Sequence, residues 1–499
     1  MYHKQLKALI RKQLKKEYPH WKQLSKKEKK RLAKEVLHTV VETSDGQQEL
    51  TMSPEELLGI EEQVPVEGMM TLEEMQAFID TFPPAPTDAL FPSPRSRRYV
   101  YDRELRFIDD LLDDRILNAI LSDEGYTPSM RTFFPSMCFR AELLKALKYP
   151  EISYRKFCER EYMGRERKQN RVFLGLPLHT ANLIDHTQLS HFRTELSFVQ
   201  MINLLVYILH VFFGGDVLGD RLIHAIDSTE IANESFRPLA SLDIQGQKIR
   251  IYDDLDCDCG KRRQKRDKSP YVVGYRMHTL TAIDADTGRS VALMSMLAPA
   301  NHHDSQLLTL LVTLAQSIGL DLNVITADTA YHDTDGSFFT TTGAHLITPP
   351  TESATIPEHV DPETAQVSCH DWCEVPMHYV GYADHTHEYH CANESGRCPC
   401  AAWCPRARLI PYDTGLFQSI PTGCAQHDQA LDIRKHAERP FNLLKHREGL
   451  EQARVRSQHS LLARCTIASI ATLLIELAGT RRKNRPEAEH SAPDRSPTG

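Results

Sequence analysis

Between Leu222 and Asp328 the chain follows a succession of short periodic segments, and that succession restricts the available folds more than any other feature. Apolar Leu222, Ile223 and Ile226 lead into Asp227, as in a strand that delivers an acid to a sheet edge. Tyr275–Asp284 (Y-R-M-H-T-L-T-A-I-D) alternates with a strand's period of two, D-A-D-T-G supplies a turn, and Ser290–Leu297 returns as the partner strand. Asn301–Ser305 (N-H-H-D-S) then starts a helix through Leu307–Leu314, with Asp304 and Ser305 at its beginning. Asn323–Thr326 forms a short strand, so Asp328 in A-D-T-A-Y lies just past its carboxyl end. Strand, strand, strand, helix, strand predicts a mixed sheet flanked by helices.

The rest of the chain is long enough to surround such a core, since 499 residues suffice for two to four domains. Met1–Lys34 carries thirteen Lys or Arg against two Glu, and Leu6, Ile10, Leu14, Leu32 and Val36 predict short amphipathic helices with a basic outer face. That face is either solvated or a DNA-contacting arm. His38–Thr81 turns acidic, with helix starts at S-P-E-E (Ser53–Glu56) and T-L-E-E (Thr71–Glu74). Residues 1–82 thus form a basic, then acidic, all-α N-terminal region, and the proline-rich stretch 83–98 is a linker. Residues 99–221 are helical, assigned to DNA binding or dimerisation. Ser197–Gly215 has no charged residue, yet Gln200, Asn203 and His210 favour a buried helix over a membrane span. With no signal peptide and no second clear span, the expected location is cytoplasmic and off the membrane.

The stretch Leu431–Lys445 (L-D-I-R-K-H-A-E-R-P-F-N-L-L-K) gives Asp227 and Asp328 their weight. At 100° per residue, Arg434, Glu438, Phe441 and Lys445 share one sector of a helix. Arg, three residues, Glu, six residues, Lys resembles the signature around the last acid of DDE transposases of bacterial insertion sequences. Leu431 stands where that family has Tyr, and Pro440 either kinks the helix or starts a new one. The resemblance covers roughly residues 99–478 and rests on A-I-D-S-T, N-H-H-D, A-D-T-A-Y and this helix, in that order. It implies an α/β RNase H-like catalytic core over residues 222–478. It also implies a metal-binding triad of Asp227, Asp328 and Glu438, with Arg434 and Lys445 holding DNA phosphates. Asp227 and Asp328 lie 101 positions apart and Asp328 and Glu438 110, so insertions separate the core elements.

Two insertions are visible. Residues 233–270 contain Lys261–Lys268, where Lys261, Arg262, Arg263, Lys265 and Arg266 belong to a run of six bases in eight positions suited to DNA backbone contact. Net charge is 59 − 67 = −8, which argues mildly against nucleic acid, but phosphate binding depends on local patches such as this. Cys257 and Cys259 nearby are too few for a zinc site of their own. Within the insertion 350–425, the stretch Cys369–Cys404 holds six of the twelve cysteines, Cys369, Cys373, Cys391, Cys398, Cys400 and Cys404, interleaved with His370, His385, His387 and His390. Clustered thiols and imidazoles outside a secreted framework favour structural Zn²⁺ over free buried thiols, with the ligand set open. An apolar helix over Leu461–Leu477 should pack on the sheet, and residues 479–499 read as a disordered tail.

The resemblance implies a homo-oligomeric transposase that cuts and joins double-stranded DNA ends. Two Mg²⁺ (or Mn²⁺) ions about 3.5–4 Å apart would activate the attacking oxygen and neutralise the leaving one. Hard carboxylate oxygens suit either ion. An RNase H-like nuclease that hydrolyses without joining, and a DNA-binding relic with lapsed chemistry, are the alternatives.

Overall fold

The computed structural model describes residues 2–44, 67–82, 102–122, 133–161, 168–176, 183–233, 237–244, 247–261, 269–333, 336–350, 356–361, 364–373, 375–391, 400, 403–412, 416–448, 450, 452–453 and 457–484. Its strands are β1 (Leu222–Asn233), β2 (Ala240–Ile244), β3 (Gln247–Ile251), β4 (Asp258–Lys261), β5 (Tyr271–Asp284), β6 (Ser290–Pro299), β7 (Val324–Ala327), β8 (His345–Ile347), β9 (Met377–Ala383), β10 (Thr386–Cys391), β11 (Ala407–Pro411) and β12 (Gln452–Ala453). The main sheet is mixed. β5 runs antiparallel to β1 on one edge and to β4 and β6 on the other, while β7 runs parallel to both β1 and β8. The path β6-β5-β1-β7-β8 therefore crosses the sheet, with helix Ser305–Ser317 connecting β6 to β7.

The predicted order of elements holds, with longer strands. β1 continues six residues beyond Asp227, because β5 pairs with it through Ala232 opposite Gly274. The D-A-D-T-G turn closes on the Asp284 side chain, which accepts from the backbone N–H of Asp286 (2.9 Å) and from the Thr287 hydroxyl (2.7 Å). β6 is buried along its whole length, because helix Gln458–Asn484 packs on it as expected for Leu461–Leu477. That helix runs on to Asn484, so the expected tail begins later than residue 479; residues 485–499 lie outside the described part.

Among the described residues, Gln458–Thr480 is long and apolar enough by itself to cross a membrane, and 89% of that window is buried inside the protein. Phe198–Phe213 reaches span length only when joined to His186–Glu195 across a 97° bend. Both are core helices. The polar residues of Phe198–Phe213 are matched by neighbours: Asn203 accepts from Met70 N–H (2.8 Å) and donates to the Gly68 carbonyl (3.0 Å), and Gln200 donates to the Leu121 carbonyl (3.2 Å). Asn203 thereby draws in the segment before helix Leu72–Asp80, which starts with the expected capping box at Thr71 and Glu74 and buries Met75 in the main core. Packing assigns this helix to the central body rather than to the N-terminal region. The expected start at Ser53–Glu56 and the linker 83–98 lie outside the described residues.

Helices Tyr2–Glu17 and Lys26–Ser44 pack instead on the first insertion. Ile10, Leu14, Trp21, Leu32 and Val36 share a separate core with Leu239, Ile249, Ile251 and Leu255 around the β2–β3 hairpin. Several of their bases face inward, onto D-D-L-D-C-D. Lys7 pairs with Asp258, Arg11 donates to Asp258 (2.8 Å) and to the Cys257 carbonyl (2.9 Å), Lys15 pairs with Asp256 (2.5 Å), and Lys29 with Asp253 (2.8 Å). The basic arm expected to be solvated or on DNA is thus partly engaged within the chain. Burial holds Lys7 below the usual ammonium range, and the carboxylate of Asp258 works against that shift. Cys257 donates its thiol to the Asp254 carbonyl (3.3 Å), and neither it nor Cys259 joins the thiol group below.

Candidate functional site

Parallel pairing of β1 and β7 decides the position of the two aspartates. Ile226 lies opposite Ala327, so Asp227 and Asp328, each the next residue, emerge side by side where β7 ends. Asp227 accepts from the N–H of Ser228 (2.8 Å) and Asp328 from that of Ala330 (2.9 Å), which orients both carboxylates locally. Burial pushes Asp227 up to about 6; the negative charges of Asp328 and Asp304 push the same way, while the Ser228 N–H and the Arg434 guanidinium oppose the shift. A raised carboxylate beside two others is a site that prefers a cation or a proton.

Asp304 stands where the sequence puts it, directly before helix Ser305–Ser317, but its side chain makes no capping hydrogen bond, and its place near the two acids is a finding of the structure alone. It is buried and turned toward the acids, accepting from the Ser228 hydroxyl (3.1 Å) and from Arg276 Nη1 (2.7 Å). Arg276 Nη2 also donates to the Lys261 carbonyl (2.9 Å). Behind Asp304, His278 Nδ1 and the Tyr331 hydroxyl form a 2.6 Å hydrogen bond. Burial holds His278 down near 4, so its ring is neutral at pH 7 and its 4.0 Å approach to Asp304 is not a charge pair at that pH. The legible signal was cross-strand spacing: Ser228 lies opposite His278 and Glu230 opposite Arg276, so alternate residues of Y-R-M-H extend the site.

The stretch 431–445 is three elements rather than one helix face. Helix Ala425–Arg434 ends in a 3₁₀ turn, Lys435–Ala437, and a new helix, Glu438–Glu448, follows. Pro440 is its third residue, where the missing N–H has no intrahelical partner to lose. The turn is tied to the sheet: the Ser290 hydroxyl donates to the His436 carbonyl (2.7 Å), and Ile433 and Ala437 pack on Ala225 and Ile283. Gly288, at φ +66°, leaves room for the His436 ring, which would lie 2.8 Å from any Cβ there. Consequently Phe441 is buried while Glu438 is exposed, and the shared sector expected for Arg434, Glu438, Phe441 and Lys445 is broken. Arg434 lies within electrostatic reach of Asp227. Neither Glu438 nor Asp304 joins Asp227 and Asp328 in a group whose oxygens all lie within 4.8 Å of one another. Lys445 is half-buried.

Of the basic run, Lys261 closes β4 with its side chain exposed, and Arg262, Arg263, Lys265 and Arg266 lie outside the described residues. In the second insertion β9, β10 and β11 form a small antiparallel sheet, and Cys369, Cys373 and Cys400 bring three buried thiols within 4.8 Å of one another. That group could bind a metal such as zinc. Cys391, at the end of β10, and Cys404 lie outside that group, and Cys398 lies outside the described residues. Compared with protein-family models and with curated proteins, the chain matches none.

Proposed function

We propose that this chain is a DDE-type DNA transposase, cleaving element ends and transferring them into target DNA from an RNase H-like core. The observation that carries the reading is the side-by-side placement of Asp227 and Asp328, which 101 positions of sequence separate. Strand order supports it: third, second, first, fourth and fifth core strands lie in sequence across the sheet, with the first three antiparallel and the last two parallel. The donor set fits Mg²⁺ or Mn²⁺, because the groups at the β1–β7 edge are hard carboxylate oxygens and Asp227 is raised by burial and like charge. When bound there, such ions activate the attacking oxygen and stabilise the leaving one.

The chain's own residues supply the rest. Asp227 and Asp328 hold the cation site, and Arg434 presents a guanidinium fork beside it, suited to gripping a DNA phosphate bidentately. Arg276 links this site to the basic insertion, since one guanidinium grips both Asp304 and the Lys261 carbonyl from which Arg262–Lys268 departs. The composition of that run suits it to DNA backbone phosphates. Glu438 is the third acid by resemblance, and Asp304 is its rival by position. Homo-oligomerisation on DNA and a cytoplasmic location belong to the same reading.

The test is a labelled element-end duplex incubated with Mg²⁺ and read for nicked and joined product. The reading expects both products from wild type and neither from Asp227→Asn or Asp328→Asn. Nicking without joining under any target condition would establish the nuclease alternative, and DNA binding without cleavage the relic. Loss of cleavage in Glu438→Gln, with Asp304→Asn still active, would assign the third acid to Glu438; the reverse result would assign it to Asp304.

A further inference from the structure

Three thiols close enough to touch one cation invite the question of a fourth. The Cys369, Cys373 and Cys400 side chains are buried and reduced, with sulfurs within 4.8 Å of one another. A zinc tetrathiolate with Zn–S of about 2.3 Å spaces its sulfurs about 3.8 Å apart, so a contraction on the order of 1 Å would seat the ion. Short-range hydrogen bonds tie the two segments: the Cys373 N–H bonds the His370 carbonyl (2.9 Å), and the Trp403 N–H bonds the Cys400 carbonyl (2.8 Å). His370 Nε2 reaches the Trp403 carbonyl (3.1 Å) and links the two segments. Next to Trp403 stands Cys404, which lies outside the 4.8 Å group but interacts electrostatically with Cys369 and whose sulfur accepts from the Arg406 N–H (3.4 Å). Backbone N–H donation to sulfur suits a thiolate ligand, whose charge it helps to carry.

Four nearby histidines have partners of their own. His387 bonds the Phe417 carbonyl (2.9 Å), His390 bonds Glu388 (2.6 Å), His385 faces Tyr382 (3.4 Å), and His359 pairs with Asp371 (2.6 Å). Cys391 sits at the end of β10, where its N–H bonds the Arg406 carbonyl (2.8 Å). The module also has reason to need a staple, because its own apolar core is small, centred on Val367, Met377, Tyr389, Ile410 and Phe417.

We infer that Cys369, Cys373, Cys400 and Cys404 form a structural zinc site, two C-x3-C segments clamped on one ion, with Cys391, Cys398 and the histidines outside it. Binding releases the four thiol protons to solvent and leaves a closed tetrahedral site with no position for substrate. This assignment is independent of the catalytic reading, and holds whether or not the chain cuts DNA.

The experiment uses the full chain, purified without chelator, with metal content measured by elemental mass spectrometry. One zinc per chain is expected, falling to near zero in Cys369→Ser, Cys400→Ser and Cys404→Ser. Cys391→Ser and Cys398→Ser should keep it. Cobalt substitution should give the intense thiolate-to-metal charge transfer of a four-sulfur site, weakened in Cys404→His. Because that variant retains a ligand, it tests the fourth position even if the serine variants fail to fold. No zinc in wild type, iron in its place, or zinc lost from Cys391→Ser but kept in Cys404→Ser would each overturn the assignment.

Discussion

Two groups of aspartates, Asp253–Asp258 and Asp227 with Asp304 and Asp328, meet different partners. Asp253, Asp256 and Asp258 meet Lys29, Lys15, Arg11 and Lys7 from the N-terminal helices, and Asp256 also accepts from the N–H of Gln458 at the start of a long core helix (3.1 Å). Asp254 at its centre is held by the Asn233 amide and the Tyr275 hydroxyl, each at 2.6 Å. Asp227, Asp304 and Asp328 form the second group, where Arg276 is committed to Asp304 and Arg434 reaches Asp227. Burial pushes Asp254 and Asp227 each up to about 6, with a neighbouring aspartate adding to the shift in both cases. The partners make the difference. Lysines and arginines from a distant segment make the first group a clamp, whereas the second collects carboxylates near a strand end with Arg276 on Asp304 and Arg434 within reach of Asp227. Charge matching is what distinguishes the two clusters.

The comparison breaks most decisively at Asp227. Asp227→Asn should lower end cleavage by at least about 10³-fold, roughly 4 kcal/mol of barrier, while raising the stability of the metal-free protein at pH 7 by about 1–3 kcal/mol. Asp254→Asn should leave cleavage within a few-fold. Equal loss of cleavage in both variants, or a destabilised Asp227→Asn by urea titration, would remove the distinction. Next in size is the clamp. Replacing Lys7 and Arg11 by Met strands Asp258, whose side chain is 2% exposed, and should cost about 3–5 kcal/mol with early proteolysis in residues 2–44. Undiminished stability would mean that these pairs are incidental.

A third prediction sharpens the contrast through pH. The folded carboxyl of Asp254 is raised from 3.8 to about 6, so the stability tied to its protonated form is complete below pH 3.8 and is lost as pH rises through 6. Asp258 is lowered by Arg11 and Lys7 against the effect of burial, so its contribution is present above pH 3.8 and disappears as pH falls below it. Asp254→Asn should therefore match wild type at pH 4 and exceed it above pH 6, by on the order of 2–3 kcal/mol. A stability difference independent of pH would count against a buried, raised carboxyl there. The smallest effects belong to Arg434→Ala and Lys445→Ala. Each should change stability by less than about 1 kcal/mol and reduce joining more than nicking, because joining must place two DNAs at once.

Local pattern was enough for the sheet. Alternation in Tyr275–Asp284, the D-A-D-T-G turn and the apolar run before Asp227 depend on neighbours a few residues away, and each formed as expected. The same holds for the helix start at Thr71 and for the buried amides of Phe198–Phe213. The stretch 431–445 failed as a single face because Ser290, Ile283 and Ala225, far away in sequence, hold the turn at Lys435–Ala437 against the sheet. Asp304 begins its helix as expected, but its partnership with Arg276 lies across the sheet and is not legible from helix-start chemistry.

By itself, then, the sequence determined which segments pair by period, where the chain turns, and that thiols gather between Cys369 and Cys404, because these follow from short-range geometry and composition. Only the tertiary structure decided that Asp328 stands beside Asp227, that Asp304 is buried while Glu438 is exposed, and that the N-terminal bases are directed at Asp253–Asp258. It also drew Cys369, Cys373 and Cys400 together out of the cysteines of that stretch. Each of these depends on register and on packing between residues tens to hundreds of positions apart. Electrostatic partners are set by distance in space, and one-dimensional spacing carries that distance only within a turn or a hairpin.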